Sequence, residues 1–288
     1  MDLPLVVGVD GSEPSLRAVD WAADEAALRQ VPLRVVYASL WQRYEGAVLP
    51  RDLDGPDARV PAEDVVRAGA RRAGSRQSAL RISVAVLPEE PGYALVREGR
   101  NACALVVGSR GRSGVVNLLL GSVSLFVAAH ADCPVVVVRG GNDNQVRAAV
   151  HGRVVVGVGD ESAAVVRFAA QEARLRAVEL HALRAWRCPA HETIDHPLIT
   201  GEPERVYEER AADALEAALL GVPPEVKVRH STVEGAARKV LLAAAYKADL
   251  LVVGARRRPG HLGLQLGRTS HTVLHDSPCP VAVVPQWA

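Results

Sequence analysis

The strongest constraint on the fold is an internal repeat that spans most of the chain. Three short motifs occur twice and in the same order, displaced by 149 residues for the first motif and by 146 residues for the other two. The paired motifs are Val6–Val9 with Val155–Val158, Leu105–Gly108 with Leu251–Gly254, and Cys133–Val135 with Cys279–Val281. Because the displacement is nearly constant, the sequence predicts two copies of one domain in tandem.

The length of the chain agrees with two domains. It has 288 residues, which suits two α/β units of about 140 residues each better than one. Residues 140–145 read Gly-Gly-Asn-Asp-Asn-Gln, a polar stretch without periodicity that is typical of a short linker. We therefore predict one domain over residues 1–141 and a second over residues 152–288.

Each copy alternates short β-branched runs with longer segments of helical spacing, which is typical of βαβ units around a parallel sheet. The short runs are nearly continuous in apolar residues, as strands covered by helices on both faces require. The predicted strands are Pro4–Asp10, Leu33–Ser39, Ile82–Leu87, Ala104–Ser109 and Pro134–Arg139 in the first copy, and Arg153–Gly159, Glu179–Trp186, Glu225–Ser231, Leu250–Gly254 and Pro280–Val284 in the second. Each copy is thus predicted to be a doubly wound α/β domain with five parallel strands.

Ser12 is predicted to cap the first helix. A serine hydroxyl accepts an amide hydrogen bond at a helix N-terminus, and Pro14 suits the first turn. Apolar residues at positions 16, 19, 23 and 26 then share one face. We interpret this segment as an ordinary packing helix.

The charge balance argues against polyanionic partners. The chain has 34 Lys and Arg against 33 Asp and Glu residues, a formal net charge of +1, so it has no large field to attract nucleic acid or an anionic membrane. No apolar run approaches the ~18 residues that span a bilayer, and the N-terminus lacks a secretory signal pattern. We expect a cytoplasmic protein without nucleic-acid or membrane partners.

A glycine-rich loop follows the fourth predicted strand and leads into a helix at Ser122. Glycine lets consecutive backbone N–H groups approach an anion, and the open first turn of the helix adds further donors for phosphate. The loop has no Walker lysine and follows the fourth strand, whereas a dinucleotide fingerprint follows the first. A merely tight connection is the alternative. The candidate phosphate-binding residues are Gly108, Ser109, Arg110, Gly111, Arg112, Ser113, Gly114, Gly121, Ser122 and Val123.

This loop resembles the ATP-binding signature of the universal stress protein family. The spacing Gly108-x2-Gly111-x9-Gly121-Ser122 matches throughout, together with the flanking Val-Val-Gly-Ser-Arg-Gly and Leu-Gly-Ser-Val-Ser. The resemblance extends to residues 7–12, which read Val-Gly-Val-Asp-Gly-Ser, and to residues 130–135, which read His-Ala-Asp-Cys-Pro-Val. It covers nearly the whole chain as two family domains in tandem.

The resemblance implies a Rossmann-like, adenine nucleotide α-hydrolase-like fold with strand order 3-2-1-4-5 in each domain. The ends of the first and fourth strands then meet at the switch point, where open α/β sheets bind ligands. By the same resemblance, Gly8 and Asp10 lie beside the ribose and phosphates of ATP, directly or through Mg²⁺, and the adenine lies against the end of the second strand, around Val36 to Ala38. A homodimer is also implied.

The second copy departs from this signature. Arg257 stands where the first copy has Gly111, and Arg268 stands where it has Ser122. Gly159 takes the place of Asp10, with the carboxylate one residue later at Asp160. We predict that the second domain has lost ordinary ATP binding and serves folding, dimerisation or partner contact. A new anion site built from Arg256, Arg257, Arg258 and Arg268 is the alternative.

Other candidate sites are weaker. The segment His191–His196 carries two His and two acidic residues, but it is flanked by prolines and we interpret it as a polar loop. The four cysteines form no CxxC pair, so we expect reduced, mostly buried thiols. No catalytic triad or paired-carboxylate spacing is present. We expect a nucleotide-dependent stress or growth regulator with an unidentified protein partner, and the alternatives are a nucleotide-independent dimerising scaffold and a slow ATPase.

Overall fold

The computed structural model describes six stretches of the chain. They are residues 3–40, 61–109, 120–139, 151–188, 204–257 and 266–287. The chain divides into two units, Met1–Gly140 and Gly141–Ala288.

The first unit is a parallel sheet with helices between successive strands. Its strands are β1 (Leu5–Gly8), β2 (Leu33–Ala38), β3 (Ile82–Leu87), β4 (Ala104–Gly108) and β5 (Val135–Val138). Its helices are α1 (Glu13–Arg29), α2 (Ala62–Arg76), α3 (Pro91–Gly99) and α4 (Ser122–His130). The strand order is β3-β2-β1-β4-β5 and every pairing is parallel, which confirms the predicted order of 3-2-1-4-5.

The second unit repeats this plan. Its strands are β6 (Arg153–Gly157), β7 (Glu179–Trp186), β8 (Val228–Glu234), β9 (Leu250–Arg257) and β10 (Val281–Trp287). Its helices are α5 (Ala163–Leu175), α6 (Glu204–Leu219), α7 (Ala237–Ala245) and α8 (Arg268–Asp276). Within the unit the order is β8-β7-β6-β9-β10, again all parallel, so both repeats have the predicted doubly wound fold.

The apolar runs form the buried centre of each sheet. All residues of β4 and β5 are buried, as the continuous apolar runs predict for strands covered on both faces.

Helix α1 begins after Ser12, whose hydroxyl accepts the N–H of Ser15, and Pro14 lies in its first turn. Its predicted apolar face packs inward, with Val19 fully buried.

Three strands of the second unit differ from their predicted bounds by more than two residues. Strand β8 begins three residues later than predicted, because the chain still turns where Val226 N–H donates to Pro223 O at 3.0 Å. Strands β9 and β10 run to Arg257 and Trp287, because they pair with each other along their full length. This pairing is a contact between segments that are distant in the sequence. The local apolar pattern therefore predicted ends for both strands that were too early.

Candidate functional site

The candidate site lies at the carboxyl ends of β1 and β4, which are neighbours in the first sheet. A cavity of about 160 Å³ opens there, between the sheet and the starts of α1, α3 and α4. Its lining includes eight residues that were predicted from the sequence, namely Gly8, Asp10, Val36, Ala38, Gly108, Gly121, Ser122 and Val123. The fold therefore brings together residues that are up to 115 positions apart in the chain (123 − 8).

The remaining predicted residues have other positions. Ser109 is buried and does not belong to the cavity lining. Its backbone N–H donates to Val138 O at 2.8 Å, and its carbonyl accepts Gly121 N–H at 2.7 Å, so it closes the end of the sheet. The predictions for Arg110, Gly111, Arg112, Ser113 and Gly114 lie outside the described residues.

Several residues of the cavity were not predicted from the sequence. Pro91 and Leu95 from α3 form an apolar wall, and Ser15 and Ser124 add hydroxyl groups from α1 and α4. The repeat contained a signal for two of these positions. Leu95 and Ser124 return 146 residues later as Leu241 and Ser270, which line the corresponding cavity of the second unit.

Asp10 forms part of the turn that starts α1. Its Oδ1 accepts hydrogen bonds from the N–H of Ser12 at 3.0 Å and from the Ser12 hydroxyl at 2.6 Å. Ser12 in turn caps the helix, and the Ser15 hydroxyl donates to Ser12 O at 2.8 Å. Asp10 therefore has a structural role at the helix start in addition to its place in the cavity lining.

Helix α4 points its N-terminus into the same cavity. Gly121 is its N-cap residue, and none of the described side chains caps the helix. The first amides of an α-helix lack intrahelical partners and carry a partial positive charge from the helix dipole. The Ser124 hydroxyl donates to Gly108 O at 2.6 Å and so fixes α4 against the end of β4. The arrangement offers backbone donors to an anion at Ser122 and Val123.

Two glycines at the strand ends lie in closely packed surroundings, and at Gly108 the neighbouring atoms belong to the backbone. A Cβ at Gly8 would lie 2.9 Å from Leu95 Cδ1. A Cβ at Gly108 would lie 2.7 Å from the backbone oxygen of Pro14 and 3.0 Å from Ser15 N. At Gly108 the reason for glycine is thus the approach of α1 to β4, which adds to the phosphate-loop interpretation.

The second unit keeps the same framework. A Cβ at Gly157 would meet Leu241 Cδ1 at 2.9 Å, as Gly8 meets Leu95. The Ser270 hydroxyl donates to Gly254 O at 2.8 Å, as Ser124 does to Gly108. The departures from the signature that were noted in the sequence of the second copy are therefore changes of side chains on a preserved backbone framework.

Arginine side chains enter the cavity of the second unit. The Asp160 carboxylate lies 2.8 Å from Arg184 and 3.6 Å from Arg256, and Arg268 stands at the start of α8. The hydrogen bond from Arg184 holds the pKa of Asp160 below its usual value. For Arg257 the structure describes the backbone but not the side chain, and Arg258 lies outside the described residues.

Comparison with known proteins identifies the fold family. The model of the universal stress protein family matches residues 3–139 and 151–285. The chain belongs to the universal stress protein family. Two universal stress proteins of Mycobacterium tuberculosis are each 32% identical to it over 309 aligned positions, covering 99% of this chain and 96% of one relative, and 98% of this chain and 97% of the other.

A solved structure of a universal stress protein from Archaeoglobus fulgidus has the same fold. The match covers 98% of both chains with a TM-score of 0.67 at 19% sequence identity. The two family matches within one chain make this a tandem universal stress protein, as the resemblance implied.

The other candidates add little to the site of this universal stress protein. The segment at residues 191–196 lies outside the described residues. Within the described stretches no three His, Cys, Asp or Glu side chains are grouped to hold a metal ion, and no helix is long and apolar enough to cross a membrane. All four cysteines are free thiols, and burial raises the pKa of Cys133 and of Cys279 to about 12. Such thiols are poor nucleophiles and poor metal ligands at neutral pH.

Proposed function

We propose that the first unit binds ATP in the cavity at the ends of β1 and β4, and that this occupancy makes the protein a nucleotide-dependent regulator of stress or growth. The observation that carries the proposal is the convergence of Asp10, the glycine end of β4 and the N-terminus of α4 on one cavity. Open α/β sheets bind ligands at such a switch point, and helix N-termini bind phosphate.

The cavity lining has an apolar region and a region of hydrogen-bond donors, which suit different parts of the nucleotide. Val36, Pro91 and Leu95 supply an apolar surface that suits the adenine, whereas Ser122 and Val123 supply amides for phosphates. A cavity of about 160 Å³ is smaller than the roughly 300–1,000 Å³ of typical small-molecule sites. It therefore encloses part of a nucleotide, and the phosphates extend along the start of α4.

We propose that Mg²⁺ binds together with ATP. Among the described lining residues Asp10 supplies the one carboxylate, and Mg²⁺ in proteins is commonly held by one or two carboxylates together with substrate phosphates. When bound, the ion would neutralise charge between the phosphates and Asp10. The donor set fits a metal that arrives with the nucleotide rather than a resident metal.

The proposed role is binding rather than turnover. The described lining contains no His or Cys, and its carboxylate accepts two hydrogen bonds from Ser12, which does not leave it arranged as a general base. A slow ATPase is therefore the weaker alternative. The second unit is not assigned ATP binding by this proposal, because Arg268 replaces the serine at its helix start. Dimerisation and a cytoplasmic location rest on the family resemblance and the sequence alone.

The first test is the nucleotide content of the purified full-length protein. The protein is denatured, the supernatant is separated by chromatography, and adenine nucleotides are quantified per chain. We expect one equivalent of ATP, because the signature is intact in one unit. ADP that accumulates with time would support the slow ATPase. Absence of bound nucleotide, together with no heat of ATP binding in calorimetry, would support the scaffold and contradict the proposal.

A second prediction separates the two roles of Asp10. In Asp10→Asn the amide oxygen still accepts the hydrogen bonds from Ser12, so the free energy of unfolding should fall by no more than about 1 kcal/mol, the loss expected for one negative charge near a helix N-terminus. The increase in ATP affinity on adding Mg²⁺ should fall by about 10-fold, since a charged ligand of the ion is lost. Calorimetric titrations with Mg²⁺ and with EDTA measure this difference. An equal loss of affinity in EDTA would mean that Asp10 does not act through the metal.

A further inference from the structure

The second unit contains a cleft whose walls are rich in arginine. Two adjoining cavities, of about 510 and 400 Å³, share Ala185, Ala237, Arg268 and Thr269, and both volumes fall in the range of small-molecule sites. The arginines that line them are Arg184, Arg187, Arg238, Arg256 and Arg268. We call these five residues and the space between them the arginine cleft. Asp160 is the one acidic residue in the described lining.

Asp160 marks where an anion is stabilised in the arginine cleft. Its carboxylate lies between Arg184 and Arg256, and Arg256 also approaches the backbone oxygen of Asp160 at 3.5 Å. The Arg184 side chain is only 18% exposed, so it is a fixed cation of the wall, whereas the Asp160 side chain is 73% exposed. Because the Asp160 side chain is mostly exposed to water, a dissolved anion can reach the two arginines and displace this carboxylate.

The chemistry of the arginine cleft differs from that of the first unit. The described lining of the first cavity contains no Lys or Arg, so its anion donors are backbone amides and hydroxyls. In the second unit Arg268 occupies the first position of α8, where the first unit has Ser122. Guanidinium groups bind phosphate through two parallel hydrogen bonds and remain charged at any physiological pH.

We propose that the arginine cleft binds a small phosphorylated anion with two or more negative charges, which replaces Asp160 as the partner of Arg184 and Arg256 and also contacts Arg268. The anion is held by side-chain cations, so the site does not need the glycine loop of the first unit. This inference concerns the second unit and stands whether or not the first unit binds ATP.

The test is calorimetric titration of sodium pyrophosphate into the full-length chain carrying Ser122→Asp, which places a carboxylate beside the phosphate donors of the first unit and so repels anions from them. Arg256→Ser and Arg268→Ser should each weaken pyrophosphate binding by at least 10-fold. Asp160→Asn should strengthen it by about 5-fold, because it removes the competing carboxylate. Arg205→Ser is the matched control, since it removes one positive charge from the exposed surface of α6 and should change the affinity by less than 2-fold.

The direction of each change in pyrophosphate affinity tests the proposal. Equal losses in Arg256→Ser and Arg205→Ser would mean that only net charge matters, and unchanged or weaker binding in Asp160→Asn would show that Asp160 is no competitor. Absence of pyrophosphate binding both in the parent chain and in the Asp160→Asn variant would overturn the site.

A parallel titration of ADP identifies the source of the phosphate: equal affinities indicate that the phosphates alone are recognised, and tighter ADP binding indicates a nucleotide. Ser122→Asp enters only as background, so failure of ATP binding in the first unit leaves these comparisons valid.

Discussion

Ser122→Asp is expected to abolish tight ATP binding by the first unit. Ser122 is the exposed first residue of α4 and lines the cavity, so a carboxylate there would face the phosphates. Two unit charges about 4–5 Å apart repel by roughly 3–4 kcal/mol at an effective dielectric constant near 20, which corresponds to a loss of about 100-fold or more. The helix itself should not suffer, because an acidic side chain in the first turn interacts favourably with the helix dipole.

Ser122→Asn is the matched control, because it has nearly the same shape as the aspartate variant and no charge. It should retain ATP affinity within about 5-fold of the wild type, since a helix start still offers its backbone amides to phosphate. Calorimetric titration at fixed ionic strength measures both affinities, and thermal unfolding checks that both variants are folded. If the Asp and Asn variants bind ATP equally well, the phosphates do not lie at the N-terminus of α4.

The duplicated α/β architecture was predictable because burial on both faces leaves a direct trace in the sequence. Strands such as β4 and β5 are runs of apolar residues, and the same runs return in β9 and β10. The order of the strands is a different matter. Local periodicity does not encode which strands are neighbours, and the adjacency of β1 and β4 was predicted only through the family resemblance.

The remaining parts of the site depend on contacts between distant segments. Leu95 lines the cavity because α3 crosses over the end of β1, and nothing in the local sequence of α3 distinguishes that residue from an ordinary buried leucine. Arg184 lies in a strand and meets Asp160 only after β7 pairs with β6. Tertiary contacts of this type decide which charged side chains share a cavity, so the arginine cleft could be only partly anticipated from the arginines near residue 256.

Gly108→Ala is expected to destabilise the first unit by about 2–3 kcal/mol, within the range for overpacking a tightly packed site. The added Cβ would lie 2.7 Å from the backbone oxygen of Pro14 and 2.8 Å from its carbonyl carbon. These are atoms of the first turn of α1, so no side chain can rotate away, and either α1 or β4 must shift. Denaturant unfolding and calorimetry of the full-length chain measure the change.

Gly254→Ala is the control that the repeat provides. At this equivalent position the nearest atoms to an added Cβ belong to the flexible side chain of Gln286, followed by Val165 Cγ2 at 3.0 Å. Gln286 can move at the cost of its hydrogen bond to Glu161 O, so the loss should be about 1 kcal/mol, typical of one hydrogen bond. If the two alanine variants are destabilised equally, the contact between β4 and α1 is not what demands glycine at position 108. The phosphate-loop interpretation would then remain as its reason, and Gly108→Ala should also lower ATP affinity.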